Sequence, residues 1–218
     1  SEVKHGNIIV KESDETTHYS IIDKYGNSVS VTTTLNNSYG SKVFVEEGGF
    51  FLNNEMDDFS SKPGHPNFYG LIGSEANSIQ PGKRMLSSMT PSIILKDSKP
   101  SLIVGTPGGS TIITSVLQTI LNVYEFDMSV QEAVNAPRFH HQWLPDVVIF
   151  EEGIIDKEKD SILKSKSYFV ISLPIEVDTG GMSARSSIGA VDAILIDEEG
   201  KVSTGADFRG DDYGEILK

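Results

Sequence analysis

The residue on which chemistry can be built is Thr16, because of where it stands in the chain. The stretch Ser13-Asp14-Glu15-Thr16-Thr17-His18-Tyr19-Ser20 marks an abrupt change from a charged, polar segment to an alternating β pattern. A threonine hydroxyl is a weak nucleophile until a base takes its proton. The sequence contains no G-x-S-x-G turn and no cysteine, so it lacks the serine-hydrolase elbow and every thiol route. An N-terminal threonine supplies its own base, since a free α-amine titrates near ~7.7–8.0. While Glu15 is attached, that nitrogen is an amide and cannot accept a proton. Cleavage of the Glu15–Thr16 bond would create the nucleophile and its base in one step. At the head of a strand the bond can be cut without damage to a core. By pattern alone, Thr16 and Thr17 also fit ordinary strand threonines.

Other groups could serve the same chemistry. Gly108-Gly109, between a strand and a helix, would present backbone N–H groups at a helix N-terminus, suited to an oxyanion or phosphate. The Gly-Lys-Ser/Thr ending of a P-loop is missing, which argues against a nucleotide; a plain tight turn fits as well. Glu55 and Asp58, three apart in a turn, could together accept from an ammonium group or stand solvated. Ser87 and Ser88 could donate hydroxyls to a carboxylate. His140-His141 lacks a third spaced ligand, so a packing or hydrogen-bonding role beside Trp143 is preferred to a metal site.

These residues need a scaffold, and the apolar pattern supplies one. Tyr19–Ile22 and Ser28–Thr34 read as strands joined by the turn cluster Asp23-Lys24-Tyr25-Gly26-Asn27. Gly48–Asn54 reads as a short buried strand. The Pro- and Gly-rich stretch Pro63–Gly73 is a functional or mobile loop. Ser92–Lys96 and Ser101–Val104 form a second hairpin leading into the two glycines and a helix. There Ile112, Ile113, Val116, Leu117, Ile120, Leu121 and Tyr124 recur at helical spacing, predicting one buried face. A shorter helix follows, with Ser129 and Glu132 in capping-box positions. The remainder reads as a strand at 147–150, a charged helix near 156–166, and strands near 168–173, 190–196 and 201–206. Strands, then helices, then strands indicate α+β layering.

Composition limits the partners. The 218 residues, 38% hydrophobic, suffice for one domain or part of one. No run approaches a membrane span and no signal peptide opens the chain. A net charge of −13 argues against nucleic acid and anionic membranes. An anionic small substrate would have to be held by local donors. No cofactor is implied.

Taken together, Thr16-Thr17-His18-Tyr19-Ser20, Leu52–Phe59, Leu86-Ser87-Ser88-Met89-Thr90-Pro91, Pro107-Gly108-Gly109-Ser110 and Ala136-Pro137-Arg138-Phe139-His140 resemble, in order, the catalytic small subunit of γ-glutamyltranspeptidase (glutathione hydrolase), bacterial type. The resemblance runs from Thr16 onward and departs from the family pattern near 176–187. It implies an N-terminal-nucleophile hydrolase fold, a four-layer αββα sandwich shared by two segments of one precursor. Residues 1–15 would end the large subunit and 16–218 form the small one. Thr16 would attack first the Glu15 carbonyl and then γ-glutamyl amides, supported by Thr34. Asn36, Glu55 and Asp58 would hold the α-amino end of the substrate, Ser87 and Ser88 its α-carboxylate. Gly108 and Gly109 would form the oxyanion hole, and Pro63–Gly73 with Tyr69 the lid. The family takes an arginine from the large subunit, so the chain alone is expected to be incomplete, and its bacterial members are periplasmic or secreted. A cephalosporin acylase, a capsule-polymer depolymerase and a catalytically silent scaffold share the framework as alternatives.

Overall fold

The structure, a computed structural model, describes residues 16–67, 69–174 and 188–217. In chain order its elements are β1 (Thr17–Ile22), β2 (Ser28–Thr33), β3 (Phe44–Val45), β4 (Phe50–Phe51), β5 (Ser92–Lys96), β6 (Lys99–Gly105), α1 (Ile112–Tyr124), α2 (Val130–Asn135), β7 (Phe139–His140), β8 (Val148–Glu151), α3 (Lys157–Ser165), β9 (Val170–Leu173), β10 (Asp192–Ile196) and β11 (Val202–Ala206). The expected Glu15 cleavage partner, the whole 1–15 segment and the divergent 176–187 stretch lie outside the described residues.

A four-stranded antiparallel sheet, ordered β11-β10-β6-β5, forms the centre. β6 is the strand with both faces covered: Leu102, Ile103 and Val104 are fully buried. Its Leu102 and Val104 face α1 and α2, where Ile112, Val116, Val130, Val134, Val191 and Ala193 complete one apolar core. Each such aliphatic side chain contributes about 1.5–3 kcal/mol on burial. The opposite face of β6 carries Ile103 and Gly105 and meets the β1–β2 hairpin, which packs there as a second β layer. Close approach requires the glycine: a Cβ at Gly105 would lie 2.2 Å from the His18 ring. The described residues thus supply a helix layer and two β layers, the α+β arrangement expected.

Local signals explain the hairpin and the short helix. Asp23 closes the β1–β2 turn by accepting from the Tyr25 and Asn27 N–H groups at 2.8 and 2.9 Å, and Gly26 takes φ +86°. The register pairs Thr17 with Thr33. The α2 capping box is formed in both directions between Ser129 and Glu132.

Two expectations are corrected. Gly48–Asn54 is not a buried strand: only Phe50–Phe51 pair, with Phe44–Val45, and Phe50 is 53% exposed. Gly49, at φ +69°, ends the extended run, and the small hairpin is held by Phe44, Phe51 and Tyr39 ring contacts at 5.1–5.4 Å. In α1 the buried stripe runs through Ile112, Ser115, Val116, Thr119 and Val123. Ile113, Leu117 and Leu121 lie on the outer side and are at least 39% exposed. Apolar spacing alone could not separate the two stripes, because small polar residues at 115 and 119 complete the inner one.

Candidate active site

Thr16 stands immediately before β1 and is buried, whereas Thr17 is exposed. Its hydroxyl donates to Thr34 Oγ1 at 3.0 Å. The Thr34 oxygen also accepts the Asn36 N–H at 2.9 Å, so the side chain that touches Thr16 is itself fixed by the backbone beyond β2. Asn36 is buried in the left-handed region, φ +76°. Its amide donates to the Asn54 carbonyl at 3.2 Å, and its carbonyl accepts from the Tyr69 hydroxyl at 3.2 Å. The Tyr69 ring lies over Gly109, where a Cβ would come within 2.9 Å of it. A continuous set of contacts therefore joins Thr16, Thr34, Asn36, Tyr69 and Gly109.

Gly108 and Gly109 take φ +135° and +57°. A Cβ on Gly108 would lie 2.6 Å from the Thr111 hydroxyl and 3.2 Å from Gly189 Cα. The helix beyond them does not start directly: a 3₁₀ turn at Gly109–Thr111 precedes α1. Thr111 closes this turn through both its N–H and its hydroxyl on the Gly108 carbonyl, at 3.1 and 2.8 Å.

Glu55 and Asp58 share another 3₁₀ turn, Glu55–Asp58. Glu55 Oε1 is buried without a hydrogen-bond partner. Burial, the Asp58 charge and a hydrogen bond between the two carboxyls push Glu55 up to about 7. Burial also raises Asp58. A cationic group arriving at this turn would meet acceptors whose ionisation it favours. Ser88, Asp58, Tyr69 and Ser110 line one cavity of about 400 Å³ under the 63–73 loop. Ser87 is exposed and its hydroxyl accepts the Met89 N–H at 3.2 Å, a local turn contact that leaves it outside the linked set.

The described residues of the 63–73 loop are more ordered than its composition suggests. Asn67 Oδ1 accepts the Tyr69 and Leu71 N–H groups at 3.1 and 2.9 Å, and Pro66 bridges to Ile72. Gln142 donates through Nε2 to the Tyr69 carbonyl at 3.3 Å and accepts through Oε1 from His140 Nε2 at 3.0 Å. His140 is buried, and its Nδ1 pairs with Thr114 at 2.9 Å. Its hydrogen-bonding role is as expected, but its partners are Thr114 and Gln142, while Trp143 stands 71% exposed.

Some participants were given no role by the sequence reading, although His18 and Arg138 stand inside the quoted motifs. His18, two residues from Thr16, is buried; desolvation lowers its pKa to about 4. Both ring nitrogens are used, on Thr32 and Ser20 at 2.8 and 3.0 Å, so this imidazole braces the hairpin and is spent as a base. Arg138, Glu151, Asp207 and Arg209 form a fully buried charge cluster; nothing in their spacing joins them.

The profile of the γ-glutamyltranspeptidase family matches residues 2–217. The chain belongs to this family. A glutathione hydrolase proenzyme of Escherichia coli is 44% identical over 212 residues, covering 97% of this chain and 34% of that protein. A γ-glutamyltranspeptidase from Pseudomonas nitroreducens, solved as a complex with L-DON, is 45% identical, covers 93% of this chain and 100% of its own, and superposes with a TM-score of 0.81. A cephalosporin acylase from Bacillus halodurans, 22% identical with a TM-score of 0.71, covers 89% of this chain and 32% of its own and shares the fold alone. The N-terminal-nucleophile hydrolase architecture expected from the sequence is therefore the one adopted. The chain spans about a third of the length of the curated relatives it matches. Among the described residues no helix is long and apolar enough to cross a membrane.

Proposed function

We propose that the chain is the catalytic portion of an autoprocessed γ-glutamyltransferase and glutathione hydrolase. The observation that carries this reading is the Thr16–Thr34 hydrogen bond at the head of β1, linked through Asn36 and Tyr69 to the Gly108–Gly109 turn. In the precursor, Thr16 Oγ attacks the Glu15 carbonyl; the peptide bond breaks as its nitrogen takes the Oγ proton, leaving Glu15 as an ester on Oγ. Water hydrolyses that ester to a Glu15 carboxylate, so that Thr16 is left with a free hydroxyl and a free amine. That amine then takes the proton from Thr16 Oγ as the oxygen attacks the γ-carbonyl of a γ-glutamyl amide. The negative charge on the carbonyl oxygen falls to the N–H groups of the Gly108–Gly109 turn. Collapse passes the proton to the leaving amine and leaves a γ-glutamyl ester on Thr16. Water, or the amine of an amino acid or peptide, gives up a proton to the Thr16 amine and releases the acyl group as glutamate or a new γ-glutamyl amide.

Substrate binding follows from the same residues. Glu55, Asp58 and Asn36 hold the α-ammonium, Ser87 and Ser88 the α-carboxylate, and Tyr69 with the 63–73 loop covers the bound group and excludes water. The partner is the large subunit of the same precursor, ending in residues 1–15 and adding an arginine at the carboxylate. The substrate is a small γ-glutamyl compound such as glutathione rather than a polymer, and the assembled enzyme works in the periplasm or outside the cell.

Assaying the processed two-subunit protein on γ-glutamyl-p-nitroanilide, with and without glycylglycine, tests the reading. Release of p-nitroaniline, altered by glycylglycine, is expected. Turnover of a cephalosporin side-chain amide with none of the γ-glutamyl anilide would replace this reading with the acylase one.

A further inference from the structure

Outside the groups given a role above, the largest buried polar construction among the described residues is the cluster of Arg138, Glu151, Asp207 and Arg209, each no more than 2% exposed. Two guanidinium groups and two carboxylates leave it neutral, as burial of charge demands. Glu151, the last residue of β8, spends both oxygens twice. Oε1 accepts from Arg209 Nε at 2.9 Å and from the Ile188 N–H at 3.1 Å. Oε2 accepts from the Arg138 N–H at 2.8 Å and from Arg209 Nη2 at 2.6 Å.

The Ile188 contact leads to the candidate oxyanion turn. The Ile188 carbonyl accepts from Arg138 Nη1 at 2.9 Å and shares, at 3.3 Å, the Ser115 hydroxyl proton that also goes to the Thr111 carbonyl at 2.9 Å. Ala190 N–H donates to Thr106 at 2.8 Å and Val191 N–H to Asp207 at 2.9 Å. Between them Gly189, at φ +72°, packs backbone to backbone on the glycine turn. A Cβ there would lie 3.3 Å from the Pro107 carbonyl, and one on Gly108 would lie 3.2 Å from Gly189 Cα. The backbone at 188–191 is thus a buttress behind Gly108, and Glu151 pins its first N–H.

We propose that Glu151 is a positioning residue for acyl transfer: by fixing Ile188 and Gly189 it holds the Gly108–Gly109 N–H groups where the oxyanion forms. The inference rests on the oxyanion role proposed for that turn. Glu151 contacts the buttress and not the substrate. Charge develops on the oxygen only on the way to the tetrahedral state, so loosening the turn weakens that state more than the bound substrate. The groups assigned to the glutamyl ends sit on 36–88, a separate segment. The signature is therefore a fall in kcat with KM preserved.

The test uses the full-length precursor and its processed two-subunit form. In Glu151→Gln, kcat on γ-glutamyl-p-nitroanilide is expected to fall ~10–100-fold, less than the ~10²–10³-fold for losing an oxyanion donor outright because the donors are loosened and not removed, with KM changed less than ~3-fold. Affinity for a γ-boronic acid analogue of glutamate, which becomes tetrahedral on the nucleophile, should fall with kcat, while inhibition by glutamate stays put. Because this change strands a buried guanidinium, Ser115→Ala serves as a second variant that removes a hydrogen bond from Ile188 without altering charge. Its kcat should fall ~3–10-fold with the same preserved KM. Unchanged kcat in the folded variants, or losses that appear in KM with a constant ratio of boronate to glutamate affinity, overturns the positioning role alone. A parent protein without γ-glutamyl turnover overturns the functional reading, and this inference with it.

Discussion

Two walls of the site are built differently. The wall carrying Gly108 and Gly109 rests on β6, α1, α2 and the 188–209 region, where Leu102, Val104, Val134 and Val191 are completely buried and four charges are paired internally. The wall carrying Asn36, Glu55, Asp58 and Ser87 is drawn from 36–91, where Tyr39, Phe44, Phe50, Leu52 and Met56 are all at least 43% exposed. The first wall covers both faces of β6 and neutralises its buried carboxylates within the chain, with Arg138 Nε left unpartnered and the outer stripe of α1 exposed. The other leaves large side chains uncovered and a buried carboxylate oxygen of Glu55 without a partner. The difference teaches that the strand and the charges behind the proposed oxyanion turn are covered and paired mostly within the chain, whereas the side proposed to bind substrate has surface and hydrogen-bonding capacity left for a substrate and, in the proposed enzyme, a second subunit.

The largest effect that bears on the comparison comes from Thr16, the proposed nucleophile. Thr16→Ala should lower kcat/KM by at least ~10³-fold in the anilide assay, since no other hydroxyl can form the ester. Next is a test of the rigid wall. Arg138→Leu leaves Arg209 as the one guanidinium facing two buried carboxylates, Glu151 and Asp207, so a loss of about 3–5 kcal/mol is expected, seen as a Tm drop of ~10 °C or more in a thermal melt. Phe44→Ala, in the exposed wall, should move the same melt by less than ~2 °C. If the two variants melt alike, the contrast between the walls fails.

A smaller effect sharpens the binding wall. Glu55, raised to about 7 by burial, Asp58 and their mutual hydrogen bond, is neutral below that pH and anionic above it. An α-ammonium binds the anion, so KM for γ-glutamyl-p-nitroanilide should rise several-fold as pH falls from 8 to 6. In Glu55→Gln that dependence should flatten; an unchanged profile would place the titration elsewhere.

The smallest concerns Asp192, raised to about 8 by burial and by Asp212, Asp207 and Asp211. Its folded pKa exceeds the unfolded value near ~3.9, so the native state binds more protons than the unfolded chain between about pH 4 and 8. This group therefore costs stability as pH rises through that window. Asp192→Asn should raise Tm by ~2–4 °C at pH 8 and by less at pH 5. A shift of equal size at both pH values would exclude ionisation as the cause.

The contrast also explains how much could be read beforehand. The β1–β2 hairpin, the β5–β6 hairpin, α1 and the α2 capping box were legible because Asp23, Gly26, Ser129 and Glu132 act locally and the apolar periods are strong. The three-residue spacing of Glu55 and Asp58 placed them on one turn. The inner stripe of α1 was hidden because Ser115 and Thr119, polar by type, are buried on the helix by bonding to preceding carbonyls. The 48–54 run misled because Phe-Phe-Leu after two glycines signals burial, yet Phe50 stands in solvent in this chain. Glu151 and Arg209, 58 residues apart, meet only through tertiary folding. Local pattern reasoning has no access to such a pair.

The decisive measurement is the mass of the fragments released when the purified full-length precursor matures. The account predicts a small fragment that begins at Thr16, with γ-glutamyl turnover rising in step with its appearance, and neither in Thr16→Ala. Full turnover by a protein whose Glu15–Thr16 bond remains intact would contradict it.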